Sequence, residues 1–497
     1  MYFQPLIHSG FLDSARWPGP PDRKRYSIRE SVRVMYKHHV PASSISSLHY
    51  QRGQALIYSL FTLIGGLAAL FFLFNTGQLT AEKSKLVNTA DAVAYSAGVM
   101  HARALNFDAY TNRALMANEV MIAQAVSIAS WSSHVVQHTE NIPPLMCQSS
   151  YSRPVVLLLV TYIPVCYLLS FGPASAVAQS TDAAVSLAAT GTIGLSETAK
   201  QALQKAQALM KATLIPARSA VMQAVADANY LGDGAVRVDE VPLADDFLGF
   251  SELYSGNDRT RFKSAVTQAA DLDSFVKNRS WTSKNSFPCI LGLKAEFRRR
   301  GGTELIGFDE WKAMDTASLH EWHWKIPAFG LPRCEHDEMA LGYGTQDAKH
   351  GDPDDSGAEY GNSRNDNPRA SADSEANGRS VQYSGVPRFY DLSASQLAMA
   401  SPTLRFSIRL TRDKSQTRTS DGRSIIKPTG KLALYDSKAK SDVLSAVSTS
   451  EVFFDRPAPR SDNKTELASL FNPFWQVRLV PTSSAALAQA MARGGSQ

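Results

Sequence analysis

The chain has 497 residues and a formal net charge of +5, with 44% hydrophobic residues, enough to build a sizeable core in roughly two to four domains. The first 53 residues carry eight Lys or Arg against three acidic residues, so they hold the whole net charge and the remaining 444 are neutral. The basic balance therefore belongs to the membrane flank and is no sign of a nucleic-acid-binding surface.

Residues 1–53 read as a disordered basic tail, broken by WPGPP at Trp17 to Pro21, with Met35 an alternative start. Ala55 to Phe74 (ALIYSLFTLIGGLAALFFLF) then runs 20 residues without a charge. At about 1.5 Å per residue such a helix covers roughly 30 Å, the thickness of a bilayer's hydrocarbon core. It is apolar around its whole circumference, whereas the helix of a soluble core keeps a polar stripe. A transmembrane helix over 54–76 is therefore expected. Arg52 lies at its near end, while Glu82, Lys83 and Lys85 nearly cancel beyond it, so the positive-inside rule places the N-terminus in the cytoplasm and the bulk of the chain across the membrane. Gly65 and Gly66 inside the span suit close contact with another helix.

From Leu79 to about His138 the residues favour one long extramembrane helix, with a single glycine and no proline until Pro143. Leu86, Val93 and Met100 keep a spacing of seven, and many alanines suit a helix partner, so this part reads as a stalk. Asp91, Asp108 and Glu119 on it read as solvated or interhelical charges. The apolar stretch 155–171 contains Pro164 and fits a buried or surface helix as well as a second span. A second span would return the C-terminus to the cytoplasm. Helical patterning resumes over 177–232, with Pro216 ending or kinking the helix.

Residues 77–245 thus form a helical stalk and helical region, and 246–345 a mixed region with a short helix near Arg259 to Phe275. The Gly-, Asp-, Asn- and Ser-rich stretch 346–385 reads as a flexible loop. In the β-rich region 386–483, Thr403 to Leu410 alternates apolar and charged residues as a half-buried strand does. Lys431 to Tyr435, Val452 to Phe454 and Phe474 to Val480 are further strands, and 484–497 is a tail. The fold class expected is α+β and membrane-anchored: a span continuing into a long helix, a helical middle, and a C-terminal mixed region with a small antiparallel sheet.

Few residues suggest chemistry. His320 and His323, three apart, would share a helical face, and Cys334, Glu335, His336 and Asp337 lie nearby, but no paired zinc motif accompanies them. Asp391, Ser393 and Ser395 form DxSxS, the spacing of a von Willebrand A-type cation site; the strand before it is poor, and a helix N-cap explains the same residues. The four cysteines, Cys147, Cys166, Cys289 and Cys334, form no CxxC pair; in an oxidising compartment Cys289 and Cys334 are the plausible disulfide. GxSxG, HExxH and Walker-type motifs are absent from the sequence, so no enzyme, cofactor or metal is expected. Arg52-Gly53-Gln54 before an apolar helix has the form of a prepilin-peptidase junction, but Tyr58 stands where those substrates carry Glu.

Taken together, Arg52-Gly53-Gln54-Ala55 at the start of the span and KLVNTADA at Lys85 to Ala92 strongly resemble the Tad/Flp pilus-assembly TadE/TadG-like proteins, over about residues 50–100. AYTNRALMANEVMIAQAVSIASW and LASLFNPFWQVRLVP are similar to sequences in longer TadG-like members. The resemblance implies a bacterial inner-membrane protein with a periplasmic body, acting in pilus assembly or a related secretion apparatus. Its partners would be other assembly proteins, membrane helices and the lipid bilayer, with no nucleic acid or small-molecule substrate. Tyr58 favours the unprocessed kind of member. A membrane-anchored adhesin or ligand-binding module is the alternative.

Overall fold

The computed structural model describes residues 54–147, 173–241, 246–284, 293–325, 330–331, 333–413, 416–417 and 443–494. It is mixed α+β, led by two long helices, α1 (Gln54–Cys147) and α2 (Pro173–Asn229). The chain divides into two compact units, Met1–Ala69 and Leu70–Gln497, with the boundary inside α1. Helix α2 runs through Pro216 rather than ending there. The apolar stretch 155–171 and the strand expected at Lys431 to Tyr435 lie outside the described residues.

After α2 come β1 (Arg237–Glu240), α3 (Asp246–Phe250), β2 (Ser251–Tyr254), α4 (Thr260–Ala270), α5 (Ser274–Lys277) and β3 (Trp281–Lys284). Three long strands follow: β4 (Leu293–Ile306), β5 (Glu310–Lys325) and β6 (Arg333–Lys349). Next are α6 (Ser363–Asp366), α7 (Pro368–Ala376), β7 (Arg379–Gln382), β8 (Phe389–Leu392) and α8 (Ala394–Leu397). The chain closes with β9 (Thr403–Asp413), β10 (Val443–Phe454), β11 (Trp475–Val480) and α9 (Ser484–Gly494).

The strands make three sheets, ordered β1-β9-β10-β11, β2-β8 and β3-β4-β5-β6-β7. All pairings are antiparallel except β6 with β7, which is parallel. The five-stranded sheet is a departure from the sequence reading, which placed the sheet after residue 386. Both of its faces bury polar residues: Arg299, Thr303 and Asp315 on one, Ser318 and His320 on the other. Alternation of apolar with polar residues cannot report such faces.

The stretch 346–385 needs correction. It carries the end of β6, two short helices and β7, and it buries Tyr360, Asn367, Ala370 and Tyr383 completely. Polar composition misled here because the polar groups are bonded inward. Glu304 accepts the backbone amide of Tyr360 at 2.7 Å, and Asn367 donates to the Arg298 carbonyl at 3.0 Å.

In the larger unit α1 is a spine, not a stalk. One core joins Leu86, Ala90 and Val93 to Met222 of α2 and to Phe406 and Ile408 of β9. A second joins Ala104 and Leu105 to Leu214, Phe250 and Trp475. A third packs Leu115, Ile122 and Val126 against Phe262, Trp311 and Phe389. The partners for its alanines are therefore the chain's own sheets and α2.

Glycines set how closely the helix and sheets approach. A Cβ on Gly98 would meet Val477 at 2.8 Å and Ser450 at 2.9 Å, and one on Gly342 would meet the His134 ring at 2.7 Å. A Cβ on Gly344 would run into the backbone of α1 at Ser130 and His134, which cannot rotate away. Gly344→Ala is therefore expected to lower stability by about 1–3 kcal/mol or more through overpacking. Thermal unfolding of the variant beside Gly351→Ala, a glycine whose surroundings are open but whose φ is +73°, separates the clash from backbone strain.

Candidate functional site: an exposed apolar helix and a polar spine

The smaller unit is described from residue 54, and its helical residues Ala55 to Ala69 are all exposed. Among the described residues one helix is long and apolar enough to cross a membrane, and none of its apolar window is buried. Leu56, Phe61, Leu63 and Leu67 are each more than half exposed, which water penalises and lipid does not. Of the proposed junction, Gln54 opens α1 and Tyr58 lies exposed on it; Arg52 and Gly53 lie outside the described residues.

In the larger unit, α1 and α2 are joined by a ladder of polar pairs. His101 contacts Arg218 at 2.8 Å, Asp108 pairs with Lys211 at 3.0 Å, Glu119 with Lys200 at 2.5 Å, and Glu140 accepts from Gln179 at 2.8 Å. Gln207 donates to Asn112 at 2.9 Å between the second and third. Each step along α1 is matched by an equal step back along α2, so the helices are antiparallel in a constant register. Steps of 7 and 11 residues make 18, which is five turns at about 3.6 residues each, so the contacting face does not drift.

These charges are interhelical, one of the two alternatives offered by the sequence. Glu119 is fully buried, and its second oxygen accepts from the Trp311 indole at 2.9 Å and the Tyr383 hydroxyl at 2.6 Å. Lys200 also donates to the Gly385 carbonyl at 3.0 Å and stands 4.3 Å from the Tyr383 ring centre. Burial, then the Glu119 charge, pushes the Tyr383 hydroxyl well above its ordinary range. Burial lifts the Asp108 carboxyl to about 6 although Lys211 opposes it.

Further along α1, Ser130 donates to Asp315 of β5 at 2.7 Å. Arg279 and Arg299 pair with the same carboxylate at 2.9 and 2.7 Å. Burial alone would raise the Asp315 carboxyl, but the two guanidinium groups outweigh it and hold it well below the usual range. Burial, and then Arg299, keeps the neighbouring His134 ring neutral.

The two segments singled out as similar to longer TadG-like sequences meet. Just before the first of them, Asn106 donates to the Trp475 carbonyl at 2.9 Å and accepts from its amide at 3.0 Å. Asn112 donates to the Leu470 carbonyl, and Arg113 to the Phe471 carbonyl and the Asn472 side chain. Sequence reasoning flagged both segments without pairing them.

The other candidate residues do not assemble into a site. His320 and His323 lie on strand β5, where an odd spacing puts them on opposite faces, not on a helix. His320 uses one ring nitrogen on His336 at 2.8 Å and the other on Asn367 at 2.9 Å, while His323 sits 3.5 Å from Asp337. Among the described residues no group of three or more His, Cys, Asp or Glu is arranged to hold a metal. Asp391 is fully buried and occupied: one oxygen accepts the amides of Leu392 and Leu470 at 2.9 Å each, the other pairs with Arg261 at 2.5 Å. Ser393 stands at the N-cap of α8 without bonding its amides, and its hydroxyl lies 3.2 Å from that of Ser395. Cys334 is disulfide-bonded; Cys289 lies outside the described residues.

Two outcomes test this polar spine. Lys200→Met strands Glu119 without a cation and is expected to cost about 3–5 kcal/mol, with the double variant Glu119→Gln/Lys200→Met recovering part of it. Asp315→Asn is expected to destabilise strongly at pH 7. Because the native Asp315 pKa is lowered, its contribution is present above the ordinary carboxyl pKa of 3.8 and is lost as pH falls below it. Denaturant unfolding should therefore show the gap between Asp315→Asn and the parent constant from pH 7 to about pH 4 and narrowing only as pH falls further.

No curated protein and no solved structure gives a significant match to the chain. Residues 53–104 match the Tad family model, "Putative Flp pilus-assembly TadE/G-like". The match covers the apolar helix and the first part of the spine, and it supports a pilus-related role for this chain.

Proposed function

We propose that the protein is a non-enzymatic inner-membrane component of a Tad (Flp) pilus or related secretion apparatus. Ala55 to Phe74 anchors it as a single span, and the body acts in the periplasm through protein–protein contacts. The match of residues 53–104 to the pilus-assembly family carries this reading. Two physical observations support it. Among the described residues none of the apolar window is buried, as expected of a helix solvated by lipid. Cys334 in a disulfide belongs to an oxidising compartment, in keeping with a body across the membrane from the basic N-terminal flank. The junction at Gly53 is left uncut, because Tyr58 replaces the acidic residue that favours processing.

The experiment is a topology map joined to a deletion. Fusions at Gln497 should be active with a periplasm-specific reporter and silent with a cytoplasm-specific one. Deletion should abolish surface pili, and the mature protein recovered from membranes should retain residues before Gln54. A cytoplasmic C-terminus would overturn the single-span reading, and intact piliation would overturn the assembly role.

A further inference from the structure

One cavity of the larger unit combines an exposed tryptophan with polar groups that have no partner. It measures about 410 Å³, opens to solvent, and is built from the start of β3, Arg300 of β4 and the turn leading into α6. That size is in the range of small-ligand sites. Trp281, the first residue of edge strand β3, lines it and is 55% exposed. Phe297 of β4 packs on the indole at 5.1 Å between ring centres, which holds it as a fixed plate.

The turn before α6 has an uncommon backbone. Tyr360, Gly361 and Asn362 have φ of +45°, +63° and +68° in succession, a region that only the glycine enters without strain. A Cβ on Gly361 would also run into the Gly301 carbonyl. The surroundings impose this conformation. Glu304 accepts the amides of Glu359 and Tyr360 at 3.1 and 2.7 Å, and Ser280 donates to the Gly361 carbonyl at 2.8 Å. Strain held in this way collects at ligand sites. Here it brings Asn362 to the cavity, where it precedes α6 without capping it. Among the described residues neither the Asn362 side chain nor the Glu359 carboxylate has a hydrogen-bond partner. Asn278 uses its oxygen on the Ser280 amide at 2.9 Å, which leaves its NH₂ group to donate.

Charge and polarity narrow the ligand. Arg300 is the only cation lining the cavity, and it is occupied by Asp366 at 2.6 Å, Thr282 at 2.9 Å and the Trp281 carbonyl at 2.9 Å. Glu359 and Asp366 stand beside it, so a phosphate or carboxylate is repelled. Apart from Trp281 the lining is polar, so burying an apolar ligand would strand polar groups. What fits is an uncharged molecule with one flat apolar face and a rim of groups that both donate and accept. A pyranose ring has this form. Its axial C–H bonds meet the negative face of an indole, and its equatorial hydroxyls reach amides and carboxylates around the ring plane.

We infer that this cavity binds a neutral glycan, with Trp281 under one sugar ring and Asn362, Glu359 and Asn278 bonding its hydroxyls. The inference goes beyond the function proposed above and does not rest on it, since it uses only the geometry of the larger unit. Such a site tethers that unit to a polysaccharide.

The test is titration calorimetry on the full chain in a detergent without a sugar headgroup, with cellotriose and chitotriose as probes. At least one should bind saturably. Binding of chitotriose alone points to an N-acetylated glycan of the cell-wall kind, and binding of cellotriose to a glycan that needs no such group; either supports the inference. Trp281→Ala should weaken binding about tenfold or more. Trp324→Ala, at another exposed tryptophan of the same sheet but outside the cavity, should leave it unchanged. Asn362→Gly removes the amide and suits the φ of +68°, so it should keep the parent's thermal midpoint yet bind the sugar more weakly. Absence of saturable binding of both sugars up to about 10 mM overturns the inference. Sugar binding that Trp281→Ala and Asn362→Gly both leave intact overturns it too, by placing the sugar elsewhere. Trilysine bound at Trp281 with no sugar binding also overturns it, because the site then receives a basic peptide.

Discussion

The register between α1 and α2 constrains the rest of the larger unit. Buried ion pairs rarely add much net stability, because desolvating each charge costs about as much as pairing returns. They do punish error. A slide of one turn between these helices would leave Glu119, Asp108 and Lys200 buried without their opposite charges, at several kcal/mol each. Apolar helix faces rich in alanine tolerate many registers with similar contact. The ladder from His101 to Glu140 therefore selects one register from a set that packing alone would leave nearly equal.

With that register set, α1 offers each sheet a defined surface. Alanines and Gly98 face β10 and β11, while Ser127, Ser130 and His134 face the five-stranded sheet at Thr303, Asp315 and Gly342. The two contacts differ in kind. The first depends on close approach at Gly98 and on a few hydrogen bonds to the sheet backbone; in the second, Asp315 pairs with two guanidinium groups beside a helix that donates a hydroxyl. Both are dense enough that an added methyl group has nowhere to go.

The residues explain which parts of this were legible. The apolar run from Ala55, the long helix beyond it and strands β9 and β11 follow from composition and period, and the structure has helices and strands there. Helix pairing was legible in principle: Asp108 and Glu119 stand 11 apart, as do Lys200 and Lys211, and matching spacings of opposite charge on two helices announce an antiparallel contact. The five-stranded sheet was hidden because both its faces bury residues that read as surface, Arg299 and Asp315 on one and Ser318 and His320 on the other. Stretch 346–385 was hidden for the same reason, since Asn367 and Ser363 are buried by hydrogen bonding rather than by being apolar. The candidate sites failed through geometry that spacing cannot supply. Two histidines three apart share a face on a helix and oppose each other on a strand.

Two segments of the larger unit that are far apart in sequence are bound to each other. Asn106 and Trp475, 369 residues apart, exchange two hydrogen bonds, and Asn112 and Arg113 hold the turn at Leu470 to Asn472. Asp391, from the middle of the chain, accepts the Leu470 amide at the same place. A carbonyl buried at Leu470 without Asn112 would cost about 1–3 kcal/mol, so the segment has a strong reason to return there. Contacts this distant in sequence are slow to form, because loop closure precedes any gain. Until β11 arrives, the core around Ala102 and Leu105 lacks Trp475. A protein made from its N-terminus thus gains the edge strand of its four-stranded sheet, and the Trp475 that packs near Leu105, only at the end of synthesis.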